Sequence, residues 1–165
     1  MLHDEMQSAL NDQINAELYS AYIYLSMAAF FEARDLKGFA SWMKAQAQEE
    51  VGHAMRIFQY IYDRGGAVTL QAIDGPPTEW DAPLAAFEAA YEHERHVTKL
   101  IHGLTAQADE ASDYATRNML EWFIDEQVEE ESTADTIVQR LKLAGDNAGA
   151  LLILDRELGD RRSTE

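Results

Sequence analysis

The sequence predicts an all-α fold, a four-helix bundle with one long crossover connection and a short fifth helix. Three observations predict it. Helix breakers are few and clustered, with Pro76, Pro77 and Pro83 together and Gly65-Gly66, Gly75 and Gly145 as the other clear stops. The stretches between them are rich in Ala, Leu, Glu, Gln and Met, which favour helix. Each long stretch carries an apolar seam at alternating spacings of three and four. Together they place long helices at about 4–33, 36–64, 82–108 and 111–144 and a short one at about 147–158. A single domain over 1–165 is expected, long enough to bury a core without a disulfide or metal staple.

The first helix has the seam Leu10, Ile14, Glu17, Ala21, Tyr24, Ala28, Phe31, and the second has Phe39, Met43, Gln46, Glu50, His53, Ile57, Tyr60. The connection that follows, from Gly65 to Asp81, is long for a bundle. Its 17 residues reach roughly 55 Å when extended, against roughly 43 Å for a 29-residue helix, so it can cross the whole bundle and make the second and third helices parallel. The third helix has the seam Leu84, Phe87, Tyr91, Glu94, Thr98, Ile101, and the fourth has Leu120, Phe123, Gln127, Glu130, Ala134, Ile137, Leu141. The fifth carries a stripe of Leu151, Leu154 and Leu158 that a complete four-helix bundle does not need, and exposed apolar surface of that kind calls for a partner.

Every seam is interrupted by acid near its middle, at Glu17, Glu50, Glu94 and Glu130. Helices of similar length packed side by side keep their midpoints level, so four carboxylates should meet in one layer of an apolar interior. Unpaired, such charges are expensive by several kcal/mol each. No Lys or Arg occupies the seams there, and the basic-capable residue is His53, at i+3 from Glu50 and on the same helix face. Oxygen ligands with one imidazole suit iron or manganese, and bundles build di-iron centres from such acids and Glu-x-x-His pairs. The equivalent place on the fourth helix reads Gln127-x-x-Glu130, which predicts one tight metal position and one exchangeable position.

Composition narrows the function classes. Thirteen Lys and Arg against 30 Asp and Glu leave a formal charge of −17, while 47% of residues are apolar, so the chain is acidic yet foldable. That charge disfavours nucleic acid and anionic membrane and attracts cations. Zero cysteines remove disulfides, thiol nucleophiles and thiolate-held metals. The N-terminus lacks the basic and apolar regions of a secretory signal, and no apolar run approaches the roughly 18 residues of a membrane span, so a cytoplasmic protein is expected.

The blocks Asn15-Ala16-Glu17-Leu18-Tyr19-Ser20, Ala47-Gln48-Glu49-Glu50-Val51-Gly52-His53, Tyr91-Glu92-His93-Glu94, Glu121-Trp122-Phe123 and Glu126-Gln127-Val128-Glu129-Glu130-Glu131, with their spacing, resemble the non-haem ferritins of bacteria and archaea along nearly the whole chain. The resemblance implies that Glu17, Glu50 and His53 hold a first iron, that Glu50 bridges, and that Glu94 and Glu130 hold a second beside Gln127. It implies a third iron position at Glu49, Glu126, Glu129 and Glu130. It implies ferroxidase activity with dioxygen or hydrogen peroxide as oxidant, and storage of the Fe(III) as mineral inside a homo-oligomeric shell of 24 chains. Tyr24 and Trp122 match aromatic residues near the centre, where each either supplies electrons or packs.

Departures are informative too. Bacterioferritins carry a second Glu-x-x-His and a haem-ligating methionine, where this chain has Gln127-x-x-Glu130 and Val51, so no haem is expected. Animal ferritins line their threefold channel with acids, where this chain has Arg117 and Leu120. His3, His93, His96 and His102 lack a shared acidic seam position and are expected at the surface or in interface contacts. Two other readings stay open at this stage. One is a di-iron oxidase or peroxidase without a storage role, and the other is an acidic assembly protein whose polar layer only fixes helix register.

Overall fold

A computed structural model describes residues 1–160. The last five residues of the domain expected over 1–165 lie outside the described ones. The helices are α1 (Asp4–Glu32), α2 (Lys37–Asp63), α3 (Pro83–Glu110), α4 (Tyr114–Ala144) and α5 (Ala148–Gly159). Among the described residues there is no strand, and no helix is long and apolar enough to cross a membrane.

Three of the helix ends share one geometry. Asp35, Gly65 and Ser112 take left-handed φ angles of 56°, 72° and 53°. The amide of the next residue then reaches back five positions, from Leu36 to Phe31, from Gly66 to Ile61 and from Asp113 to Ala108. These bonds satisfy carbonyls that the helix end would leave unpaired. Glycine marks only the middle case, which is why the end of α3 and the start of α4 differ from expectation. α3 runs two residues further, and α4 begins three later, because Ser112 turns the chain and Asp113 caps the new helix by accepting from the Thr116 amide at 3.1 Å.

α1 packs mainly on α2, and α3 on α4. Between the two pairs the connection runs the length of α1. Near its start, Asn11 donates to the Ala67 carbonyl at 3.1 Å and accepts from the Thr69 amide at 2.7 Å. Midway, Asn15 donates to Ala72 at 3.0 Å, and further along Ser26 donates to Pro77 at 2.5 Å. α3 therefore starts beside the start of α2, where Phe87 meets Phe39 at 5.4 Å and Trp42 at 5.5 Å between ring centres. The crossover and the parallel α2 and α3 follow the expectation.

The apolar interior is in two parts. One, around Phe30, Phe31, Phe39, Trp42 and Phe87, fills the end capped by α5. The other, around Leu10, Ile57, Ile61, Ile101, Leu120 and Phe123, fills the opposite end. Glu17, Glu50, His53, Glu94, Gln127 and Glu130 are all buried in the layer between them. Leu120 belongs to this core and lines no surface, while Arg117 pairs with Asp109 at 3.1 Å and with Glu121.

The fifth helix corrects an expectation. Leu154 and Leu158 find their partner within the chain, buried on the bundle end. A close approach makes this possible, since a Cβ on Gly38 would lie 1.7 Å from the Asp155 carbonyl oxygen. Asp155 also accepts from the Phe39 amide at 2.8 Å, capping the start of α2. The uncovered apolar surface here is instead Leu143, Leu152 and Ile153.

Candidate metal centre

Each buried acid sits where its seam predicts, and what differs is its neighbourhood. Glu50 and His53 share a face of α2, with His53 Nδ1 at 3.2 Å from Glu50 Oε2. Across from them, on α1, Glu17 Oε2 lies 3.9 Å from the same nitrogen. Glu17, Glu50 and His53 thus offer three ligand atoms within 4.8 Å of one another. The other nitrogen, Nε2, faces Glu126 on α4 at 3.9 Å. His53, Glu126 and Glu130 form a second such group, so one imidazole belongs to both.

Glu94 is brought to the layer but joins neither three-residue group among the described residues. Its carboxylate is held by protein donors, the Tyr24 phenol on one oxygen and Gln127 Nε2 at 3.1 Å on the other. Gln127 also reaches Thr98 Oγ1 at 3.2 Å. Glu130 accepts from Gln46 Nε2 at 2.7 Å, and Glu17 Oε1 from Gln13 Nε2 at 2.8 Å. The supporting roles of Gln13 and Gln46 escaped the sequence reading. Gln13 lies off the seam, and the available signal was its i, i+4 spacing to Glu17.

Two buried oxygens find no donor, Glu17 Oε2 and Glu50 Oε1. Buried polar atoms are almost always paired, and an unpaired carboxylate oxygen in a buried layer costs about 1–3 kcal/mol or more. Both belong to the group that includes His53. Oxygen donors with one imidazole suit iron or another divalent first-row ion, so the residues fit a metal.

The electrostatics agree. Burial, then the charges of Glu94 and Glu17, push the Glu50 carboxyl well above the usual carboxylate range. Burial also raises Glu94, to about 7, against the hydrogen bonds from Tyr24 and Gln127. Burial and the neighbouring Glu94, Glu50 and Glu130 charges raise the Tyr24 phenol. Carboxyls crowded this way hold protons that an incoming cation would displace.

Further out, Glu126 and Glu49 are half-buried and Glu129 is exposed. Burial raises Glu126, the charges of Glu129 and Glu49 raise it further, and those of His53 and Arg56 oppose them. The four outer acids are therefore unequal, since only Glu126 and Glu130 fall within the groups that include His53. Trp122 packs edge-on against His53 at 5.4 Å between ring centres. His93, expected at the surface or in an interface contact, is half-buried between α1 and α3 with Nε2 at 2.7 Å from Ser20 Oγ, and burial lowers its imidazole to about 4.

A family model described as the ferritin-like domain matches residues 7–144. The chain belongs to the ferritin family. It is 47% identical over 161 residues to the bacterial non-heme ferritin of Bacteroides fragilis, covering 98% of this chain and 100% of that one. The bacterial non-heme ferritin of Staphylococcus aureus is 38% identical over 165 residues, 100% of this chain and 99% of the other. Among solved structures, an open pore ferritin from the hyperthermophilic archaeon Archaeoglobus fulgidus superposes with a TM-score of 0.97 at 54% identity, over 98% of this chain and 100% of that one. A closed form of that ferritin, engineered by mutagenesis, superposes with a TM-score of 0.99 at 54% identity, over 99% and 100%. Five-helix architecture, connectivity and crossover are thus those of a ferritin.

Proposed function

We propose that this ferritin stores iron and oxidises it on the way in, at an intra-subunit centre for two Fe(II) ions. Glu17, Glu50 and His53 take the first ion, with the unpaired oxygens Glu17 Oε2 and Glu50 Oε1 as its natural donors. That pair of orphaned oxygens beside an imidazole is the observation that carries the reading. Glu50, Glu94 and Glu130 serve the second ion, which must displace the hydrogen bonds that Tyr24, Gln127 and Gln46 make to those acids. The second position is therefore the more exchangeable one.

Two Fe(II) ions give up one electron each, and dioxygen takes both with two protons from solvent to become hydrogen peroxide. Peroxide itself serves as an alternative oxidant. The chain's part is to hold the two ions in one buried layer, where Tyr24 and Gln127 occupy Glu94 until the second ion takes their place. Carboxylates suit this work because they can release the product ion, which a closed thiolate cage would retain. Outward passage runs by Glu126 and Glu130, with Glu49 and Glu129 completing a third iron position.

Storage needs a shell, and we propose a homo-oligomer of 24 chains. Two exposed apolar faces support self-association, one from Tyr22, Leu25, Val51 and Met55 and the other from Leu143, Leu152 and Ile153.

The test is aerobic ferrous titration of the metal-free protein with light scattering and size exclusion. Large soluble particles that retain hundreds of irons are expected. Rapid oxidation that ends in precipitated iron and small oligomers would remove storage and leave a di-iron oxidase, and no stoichiometric uptake would leave only a structural polar layer.

A further inference from the structure

Arg56 stands beside the proposed centre on α2, three residues after His53, and its side chain is exposed. In a chain with 30 acids against 13 bases, such a residue would be expected to pair with a carboxylate. Among the described residues it forms no ion pair. Its guanidinium carbon instead sits 4.2 Å from the centre of the Trp122 ring, on α4. A planar cation over an indole face is the most favourable form of cation–π contact.

The indole is itself wedged. It meets the His53 ring edge-on at 5.4 Å and the Phe123 ring edge-on at 4.9 Å. Trp122 therefore gives Arg56 a fixed platform in place of a mobile acidic partner. Trp122 and Glu126 are one helical turn apart and share a face of α4. The charge therefore sits on the side of the centre where Glu126 lies, since Trp122 packs on His53 and the Nε2 of His53 faces Glu126 at 3.9 Å.

A cation in that place has a definite consequence for a divalent ion. It repels Fe(II) held at Glu126 while leaving the carboxylate unoccupied by any ammonium or guanidinium that the ion would have to displace. For a double charge and a single one facing each other across a solvent-exposed gap, this amounts to a roughly three- to tenfold change in retention at low salt.

We propose that Arg56, clamped on Trp122, is a positioning residue for iron transit, whose fixed charge weakens Fe(II) retention at the outer carboxylates around Glu126 so that iron passes through instead of lodging there. This rests on the iron centre proposed above.

The test is anaerobic Fe(II) titration of the metal-free assembled protein by calorimetry, with Arg56→Gln and Arg56→Lys beside the wild type. In Arg56→Gln the weaker class of sites should tighten about three- to tenfold at low salt, and Arg56→Lys should return it to within about twofold of the wild type. The difference should collapse between about 0.02 M and 0.5 M salt, as the screening length falls from about 20 Å to about 4 Å. A merely structural Arg56 would show neither the rescue by lysine nor the salt dependence. Equal affinities in Arg56→Gln and the wild type at low salt, a tightening that persists at high salt, or a lysine variant that behaves like glutamine each overturn the proposal. Wild-type protein that binds no Fe(II) overturns the iron centre as well, whereas wild-type uptake with an unaltered Arg56→Gln removes the Arg56 role alone.

Discussion

The Tyr24 phenol on α1 donates to Oε1 of Glu94 on α3, tying the two helix pairs together through one buried carboxylate. This bond works against the burial that lifts Glu94 to about 7. Tyr24→Phe should therefore raise Glu94 further, move the pH profile of the initial Fe(II) oxidation toward alkaline pH, and lower the rate at pH 7 by about threefold. Stopped-flow oxidation followed across neutral pH checks it. A profile that stays in place would reduce Tyr24 to a packing residue.

Glu17 and His53 meet at the centre, in the layer between the two apolar clusters, where His53 also packs edge-on against Trp122 and Phe123. Glu17→Ala and His53→Ala should each slow the initial oxidation phase by about tenfold or more, as loss of a metal ligand does, while the size-exclusion profile of the assembly is retained. Wild-type rates in both variants would remove the site assignment.

Raised carboxyls make the metal-free protein pH-sensitive in a stated direction. Glu94 stands at about 7 in the folded chain, against 4.5 as its ordinary value. Between those values the unfolded chain has lost the proton that the folded chain keeps, so stability should fall as pH rises from about 4.5 to about 7, by up to about 3 kcal/mol from this group. Urea unfolding of metal-free protein at several pH values measures the slope. Glu94→Gln should flatten it, and an equal slope in that variant would contradict the assignment.

Metal binding must reverse that protonation. Ions that enter the layer displace protons from Glu50 and Glu94, which both stand above the usual range. Anaerobic Fe(II) binding near pH 6 should release more protons than binding near pH 8, and the apparent affinity should rise with pH. Calorimetry in two buffers of different ionisation heat reads the release. Binding without proton release would mean that the ions bypass these acids.

At the far end, Gly38 holds α5 by having no side chain. Gly38→Ala would set a Cβ 1.7 Å from the Asp155 carbonyl oxygen and 2.5 Å from its carbon, both backbone atoms. α5 should lift off α2, with loss of amide hydrogen-exchange protection over 148–159 and little change in α3. Asp155→Ala, which keeps the close approach and loses the bond to the Phe39 amide, should cost only about 1 kcal/mol. Full protection of α5 in Gly38→Ala would show that the contact is not what seats it.

The sequence by itself determined the helices, the crossover and the layer of acids. Apolar spacing sets which face of a helix is buried, and the acids at Glu17, Glu50, Glu94 and Glu130 could be placed at one level because helix rise is constant. Family blocks then attached a role to each. The helix end at Ser112 was less legible, since serine turns the chain there in a conformation its residue type does not advertise. Only the tertiary structure decided which donor each acid received. Tyr24 and Gln127 went to Glu94, Gln46 to Glu130 and Gln13 to one oxygen of Glu17, which left Glu17 Oε2 and Glu50 Oε1 without a partner. It also turned the second nitrogen of His53 toward Glu126, laid Arg56 on Trp122, and seated α5 on Gly38. The reason is geometric. Periodicity specifies the direction in which a side chain leaves its own helix, whereas the atoms it meets depend on the axial offset and rotation of the neighbouring helices and on rotamers chosen in packing.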